Sequence, residues 1–197
     1  KTWTDYNTEP STSYFYCIQD IRNDDKVGVF SNGAGIASAA NLSVKIQSGE
    51  VPELYWRNNT TYWGRLTVNR ENVRTGKKEN IGDFESDNLE LSWTDIYEKE
   101  DDTYKYWIQP LNKYGVGCAY SNYVYVSCLN IKKMLGDGGN NDERRRAVVG
   151  EYYENPDTPM KKGYHFVGWY TEEIGGTKIE LPIKATMETQ NIYAHWE

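Results

Sequence analysis

Histidine is nearly missing, with two residues in 197; cysteine contributes three and proline six. Each scarcity excludes a kind of chemistry. A nucleophilic triad needs a base beside Ser or Cys, and His165 and His195 both fall in aromatic runs with no cysteine in their segment. A zinc site needs three or four Cys, His or carboxylate ligands at suitable spacing, and none is offered, so no catalytic residue, metal or cofactor is expected. The three thiols, Cys17, Cys118 and Cys128, do not make a framework. If Cys118 and Cys128 flank one extended strand, ten residues hold them roughly 33 Å apart, outside disulfide reach; free thiols are expected. No apolar run approaches the ~20 residues of a membrane-crossing helix, which argues against membrane insertion.

Positive charge is also short. The net charge is −7, divided as −5 over residues 1–128 and −2 over the remainder. Phosphate binding needs a concentrated basic surface, so nucleic acid is not an expected partner. The one basic run, Arg144-Arg145-Arg146, follows Asp142 and Glu143 and reads as the solvated flank of a turn. The glycine-rich stretch from Gly136 to Asp142 lacks the alternating ligands of a calcium loop and reads as a hairpin connection. The 29 carboxylates could supply an acid/base pair. Small domains with flat sheets seldom enclose a pocket for one, so an enzyme is not expected. The chain opens at Lys1 without Met, as a piece of a larger protein would.

What is abundant is aromatic: 14% of the chain, with 17 Tyr and 7 Trp. Tyr, Trp, Val and Thr suit half-buried pleated surfaces, which points to an all-β fold. Alternation supports it: Leu42, Val44 and Ile46; Leu89, Leu91 and Trp93; Tyr104, Tyr106 and Ile108; Val124 and Val126. Such period-two patterns separate a dry face from a wet one. There is also an internal repeat at an offset of ninety. Thr2-Trp3-Thr4-Asp5 recurs as Ser92-Trp93-Thr94-Asp95. Tyr14, Tyr16, Ile18 and Gln19 fall on Tyr104, Tyr106, Ile108 and Gln109, and Ser31-Asn32 on Ser121-Asn122.

The run Leu91–Asp95, Tyr104–Asn112, Gly115 and Ser121-Asn122, with Trp56 upstream, resembles a fibronectin type III domain of the kind carried by Gram-positive cell-wall proteins. Pro110 departs from that pattern and suggests a bulge or an early strand end. The segment Gly163–Thr171, Gly175-Gly176-Thr177 and Ile192–Trp196 resembles the Listeria–Bacteroides repeat, or internalin B-repeat. Phe166, Trp169, Tyr193 and Trp196 could build its miniature core. These resemblances imply residues 1–40 as the end of an incomplete sandwich unit, 41–128 as a fibronectin type III-like β-sandwich, and 129–197 as a small β-grasp-like B-repeat module.

Strand parity suggests one binding surface. With Tyr104, Tyr106 and Ile108 inward, Trp107 faces out, as do Tyr123, Tyr125, Arg65 and Trp63 on the neighbouring strands. Such a patch could stack on a glycan or anchor a protein of host or cell wall, or merely stiffen the sheet. By resemblance the whole is a non-catalytic stalk or adhesion segment of an extracellular or bacterial cell-surface protein, in contact with the parent's adjacent domains. The alternative is an accessory binding region of an extracellular glycosidase or protease.

Overall fold

The computed structural model describes residues 4, 14–16, 19–21, 27–30, 34–36, 42–46, 51–57, 65–85, 90–96, 101–111, 121–136 and 142–197. Among these every regular element is a strand, as the alternation predicts. Trp3, Cys17 and Cys118 lie outside the described residues.

The first forty residues contribute β1 (Tyr14–Tyr16), β2 (Gln19–Ile21), β3 (Val27–Phe30) and β4 (Ala34–Ile36). β1 pairs antiparallel with β4, Tyr14 opposite Ile36 and Tyr16 opposite Ala34. The second unit pairs Tyr104 with Val126 and Tyr106 with Val124. The two registers coincide at an offset of ninety, so the repeat in the sequence is also a repeat in hydrogen bonding.

A three-stranded sheet, β5 (Leu42–Ile46), β6 (Pro52–Arg57) and β9 (Glu90–Thr94), belongs to the same core as strands of a larger sheet. That larger sheet begins with β8 (Lys78–Phe84), β7 (Arg65–Asn72), β10 (Tyr104–Leu111) and β11 (Val124–Lys132). Leu42, Leu54, Trp56, Leu66, Val68, Tyr104, Tyr106, Ile108 and Val126 fill the space between. Phe84 stands edge-on to both Trp56 and Trp93, at 5.4 and 5.3 Å between ring centres. Gly82 lies beneath Trp93, where a Cβ would approach the indole to 3.3 Å. Pro110 neither bulges nor ends its strand: β10 runs in unbroken register with β7 through Pro110 opposite Leu66, to Leu111.

The sheet continues past β11 into the C-terminal segment. β14 (Gln190–Trp196) pairs parallel with β11, and β13 (Phe166–Tyr170) pairs antiparallel with β14. On the other edge of β11 lies β12 (Glu143–Val148), antiparallel, so the glycine-rich stretch does connect neighbouring antiparallel strands. A second core holds Leu129, Ile131, Ala147, Tyr153, Trp169, Ala185, Ile192 and Ala194, flanked by Phe166 and Trp196. Tyr193 is not part of it. Ile192 and Ala194 face this core, so the intervening Tyr193 points to the other face of β14, as does His195.

Strand β11 serves both cores. Val124, Val126 and Cys128 share one face with the sandwich, whereas Leu129 and Ile131 have the opposite parity and fill the second core. Its register with β12 is continuous from Val126 to Ile131, so no bulge intervenes. The two cores therefore lie on opposite faces of one continuous strand. The junction expected between residues 128 and 129 falls inside it.

Candidate functional site

The four described residues of the suggested binding surface, Arg65, Trp107, Tyr123 and Tyr125, are not equally open. Trp63 lies outside the described residues. Arg65 is exposed, and its guanidinium donates to Asp83 at 2.5 Å. Tyr123 is 47% exposed, while Tyr125 is half-buried opposite Lys105. Trp107 is only 8% exposed, a correction to its expected accessibility. Parity assigned it to the face opposite Tyr106, but accessibility depends on what lies over that face. Tyr123 stands edge-on to the indole at 6.1 Å, and the Lys105 ammonium lies 5.3 Å from it and 4.8 Å from Tyr123. Lys105 in turn pairs with Glu71 at 2.6 Å, a bond that pushes its pKa up. The outcome is a cation sandwiched in a settled network rather than open ring faces.

Charged side chains within the sandwich are tied into ion pairs. Asp95, which ends the Ser92-Trp93-Thr94-Asp95 motif, is fully buried. It accepts from Arg70 at 2.7 Å and from the Tyr106 hydroxyl at 3.0 Å. Arg70 reaches Glu79 with its other terminal nitrogen, also at 2.7 Å. Burial works against the Arg70 cation, but the two carboxylates outweigh it and its pKa rises. Lys77 and Arg70 together hold the Glu79 carboxyl at about 2. His195 stacks on Tyr170 at 3.9 Å, and its ring nitrogen lies 2.9 Å from the Glu172 carbonyl. Among the described residues, no three His, Cys, Asp or Glu gather as metal ligands. Cys128 is a buried thiol that donates to the Asn130 side-chain oxygen at 3.5 Å.

The module junction gathers a dense set of polar contacts. The Arg144-Arg145-Arg146 run is not the flank of a turn but the middle of β12, and Arg146 is buried. Its register places Arg146 opposite Cys128 and Arg144 opposite Asn130, on the face of β11 that carries the sandwich core. From there Arg146 donates to the Asp102 carbonyl at 2.9 Å, and Arg144 pairs with the Asp101 carboxylate at 3.0 Å. The Asp102 side chain is held by Arg74 and Asn72, both at 2.7 Å. From the C-terminal segment, the Thr189 hydroxyl donates to the Asp101 carbonyl at 2.7 Å. Ser127 on β11 links the two sides, accepting from the Thr103 hydroxyl at 3.2 Å and donating to the Glu188 carbonyl at 3.2 Å. A cleft of about 300 Å3 opens beside this junction, lined by Asp101, Asn130, Lys132, Asp142, Glu143 and Arg144. Its charges are matched within the protein, with Lys132 on Asp142 at 2.7 Å and Arg145 on Glu143 at 3.0 Å.

Alternation alone did not reveal this junction, yet a signal was present. In Val124-Tyr-Val-Ser-Cys-Leu-Asn-Ile131 the apolar positions are even up to Cys128 and odd from Leu129. A switch of parity without a turn residue is the mark of a strand that changes cores.

The family model of the Listeria-Bacteroides repeat domain matches residues 136–195. That segment is similar to a Listeria-Bacteroides repeat. The match starts after β11, so the repeat's core takes Leu129 and Ile131 from outside the matched span. No curated protein matches the chain. Among solved structures, the pectate lyase PelI of Erwinia chrysanthemi in complex with tetragalacturonic acid is similar at 19% identity and a TM-score of 0.37, over 44% of this chain and 28% of its own. The pectate lyase Pel3 of Pectobacterium carotovorum gives 19% and 0.36, over 44% and 26%. The chain thus spans less than a third of either.

Proposed function

We propose that this chain is a non-catalytic segment of a bacterial cell-surface or secreted protein, in which fibronectin type III-like sandwich modules and the repeat act as a stiff spacer. One observation carries the reading: β11 belongs to both modules, so they join through a continuous strand instead of a linker. Flexible linkers let domains reorient, whereas here a change of angle must break the ladder, the Arg146–Asp102 bond or the Arg144–Asp101 pair. Buried, internally matched ionic groups and the repeat match suit a scaffold placed outside the cell. A glycan- or protein-binding role has less support, because only Arg65 and Tyr123 of the described patch residues are exposed.

Small-angle scattering tests the spacer. A compact chain of this length has a radius of gyration of roughly 16 Å. A clearly larger value, with a profile fitted by one conformation, is expected; a value near the compact one, or a profile demanding many inter-module angles, overturns the reading.

A further inference from the structure

Pairing between β11 and β14 has a direction. β11 starts within the sandwich at Val124, β14 ends at Trp196, and both run the same way, with Leu129 opposite Gln190 and Lys132 opposite Tyr193. Tension applied between the sandwich and residue 197 therefore pulls the start of β11 and the end of β14 in opposite senses. The ladder bonds lie across that pull and share it. Had the strands been pulled from matching ends, the same bonds would open one after another.

The ladder is fastened along its length by side chains. At its near end Ser127 donates to the Glu188 carbonyl at 3.2 Å; midway the Asn130 amide donates to the Asn191 side-chain oxygen at 3.1 Å. At its far end the Trp196 indole N–H donates to the Lys133 carbonyl at 3.0 Å. Ile131 faces Ile192 in this ladder, and both are buried in the repeat core. Water is thereby kept from the central bonds, where it would otherwise replace them as they stretch. β12 supports the opposite edge of β11, and β13 the opposite edge of β14.

From this geometry we propose that the parallel β11–β14 pair is a shear clamp, through which the chain bears mechanical tension between its sandwich and its C-terminal end. The clamp rests on the spacer reading for its use, but its strength is a property of the ladder. It predicts that resistance depends on where the pull is applied, and not only on stability.

Single-molecule pulling on the full chain tests it. An azide-bearing phenylalanine replaces Tyr123, just before β11, in every sample; the second attachment is at residue 197 or at Met187, just before β14. Both Tyr123 and Met187 are exposed. The 123–197 geometry loads the ladder in shear, and 123–187 peels it from one end. Forced opening follows the unfolding rate along the pulled path, so rupture in shear should need at least about twice the force of peeling. Its first step should release residues 133–189, at about 3.5 Å per residue. Trp196→Phe should weaken the shear arm and leave the peeling arm unchanged, since the indole bond lies at the far end. Equal forces in the two arms, or a Trp196→Phe variant with an unweakened shear arm, overturn the clamp. Neither result would alter the scattering profile, and a compact profile would not alter these forces, so the two readings fail separately.

Discussion

The two cores on either face of β11 are built from different materials. The sandwich core is made of large side chains contributed by strands of both its sheets, among them Leu54, Trp56, Val68, Tyr106 and Ile108. The repeat core relies on Trp169 and Tyr153 set against small residues, Ala147, Ala185 and Ala194. Small residues let strands and loops approach the rings closely, but they bury little surface of their own. The aliphatic bulk is concentrated in Leu129, Ile131 and Ile192, and the first two belong to the shared strand. One module closes its own core, while the other completes itself with its neighbour's last strand.

The largest expected effect breaks that dependence. A chain starting at residue 136, where the family match starts, lacks Leu129, Ile131 and the whole β11 ladder; it should show no cooperative transition in urea followed by tryptophan fluorescence. A chain extended upstream to include β11 and its sandwich should regain one. A cooperative melt of the short chain would show that the repeat closes without help. Next in size is Asp95→Ala, which strands the Arg70 cation inside the sandwich. Removing one partner of a buried pair typically costs about 3–5 kcal/mol. Denaturation should register that loss in the sandwich, and replacing Arg70 by Met together with Asp95→Ala should recover part of it. If the single variant costs no more than the double, the pair does not act as described.

The smallest effect is on acid stability. Glu79 has its carboxyl held at about 2, mainly by bonds from Lys77 and Arg70, against roughly 4.3 in an unfolded chain. A carboxylate lowered in this way favours the folded state fully above its unfolded pKa, and the contribution fades as pH falls toward the folded one. Stability should therefore decline between about pH 4.5 and pH 2, and Glu79→Gln should flatten that decline. An unchanged pH profile in the variant would remove Glu79 from the acid response. Because Glu79 is a third exposed, solvent screens the effect and keeps it modest.

Much of the sandwich was legible in the sequence because its signal is local. Tyr104, Tyr106 and Ile108 alternate on one strand, and the ninety-residue offset carries the Tyr14–Ile36 pairing into the Tyr104–Val126 pairing. The repeat was legible through its aromatic and glycine spacing. Gly176, with φ of +72° and a would-be Cβ 2.8 Å from the Thr171 hydroxyl, illustrates why glycine is needed in its turn. What stayed hidden depends on partners far along the chain. The burial of Trp107 required knowing where Tyr123 and Lys105 would lie. That of Arg146 required the Asp101-Asp102 turn, more than forty residues earlier, to arrive beside β12. The parallel partnership of β11 and β14 joins residues about sixty apart and leaves no trace in either strand alone.

The change of parity at Cys128 and Leu129 also bears on how such proteins can be recombined. A crossover placed at that seam would splice half of a strand suited to one interior onto half of a strand suited to another. Each product would then depend on a foreign half-strand with matching side-chain order. Exchange ahead of Ser121, some fifteen residues upstream of the matched span, would keep β11 whole with the repeat it completes, while giving the sandwich a new Val124 and Val126 side.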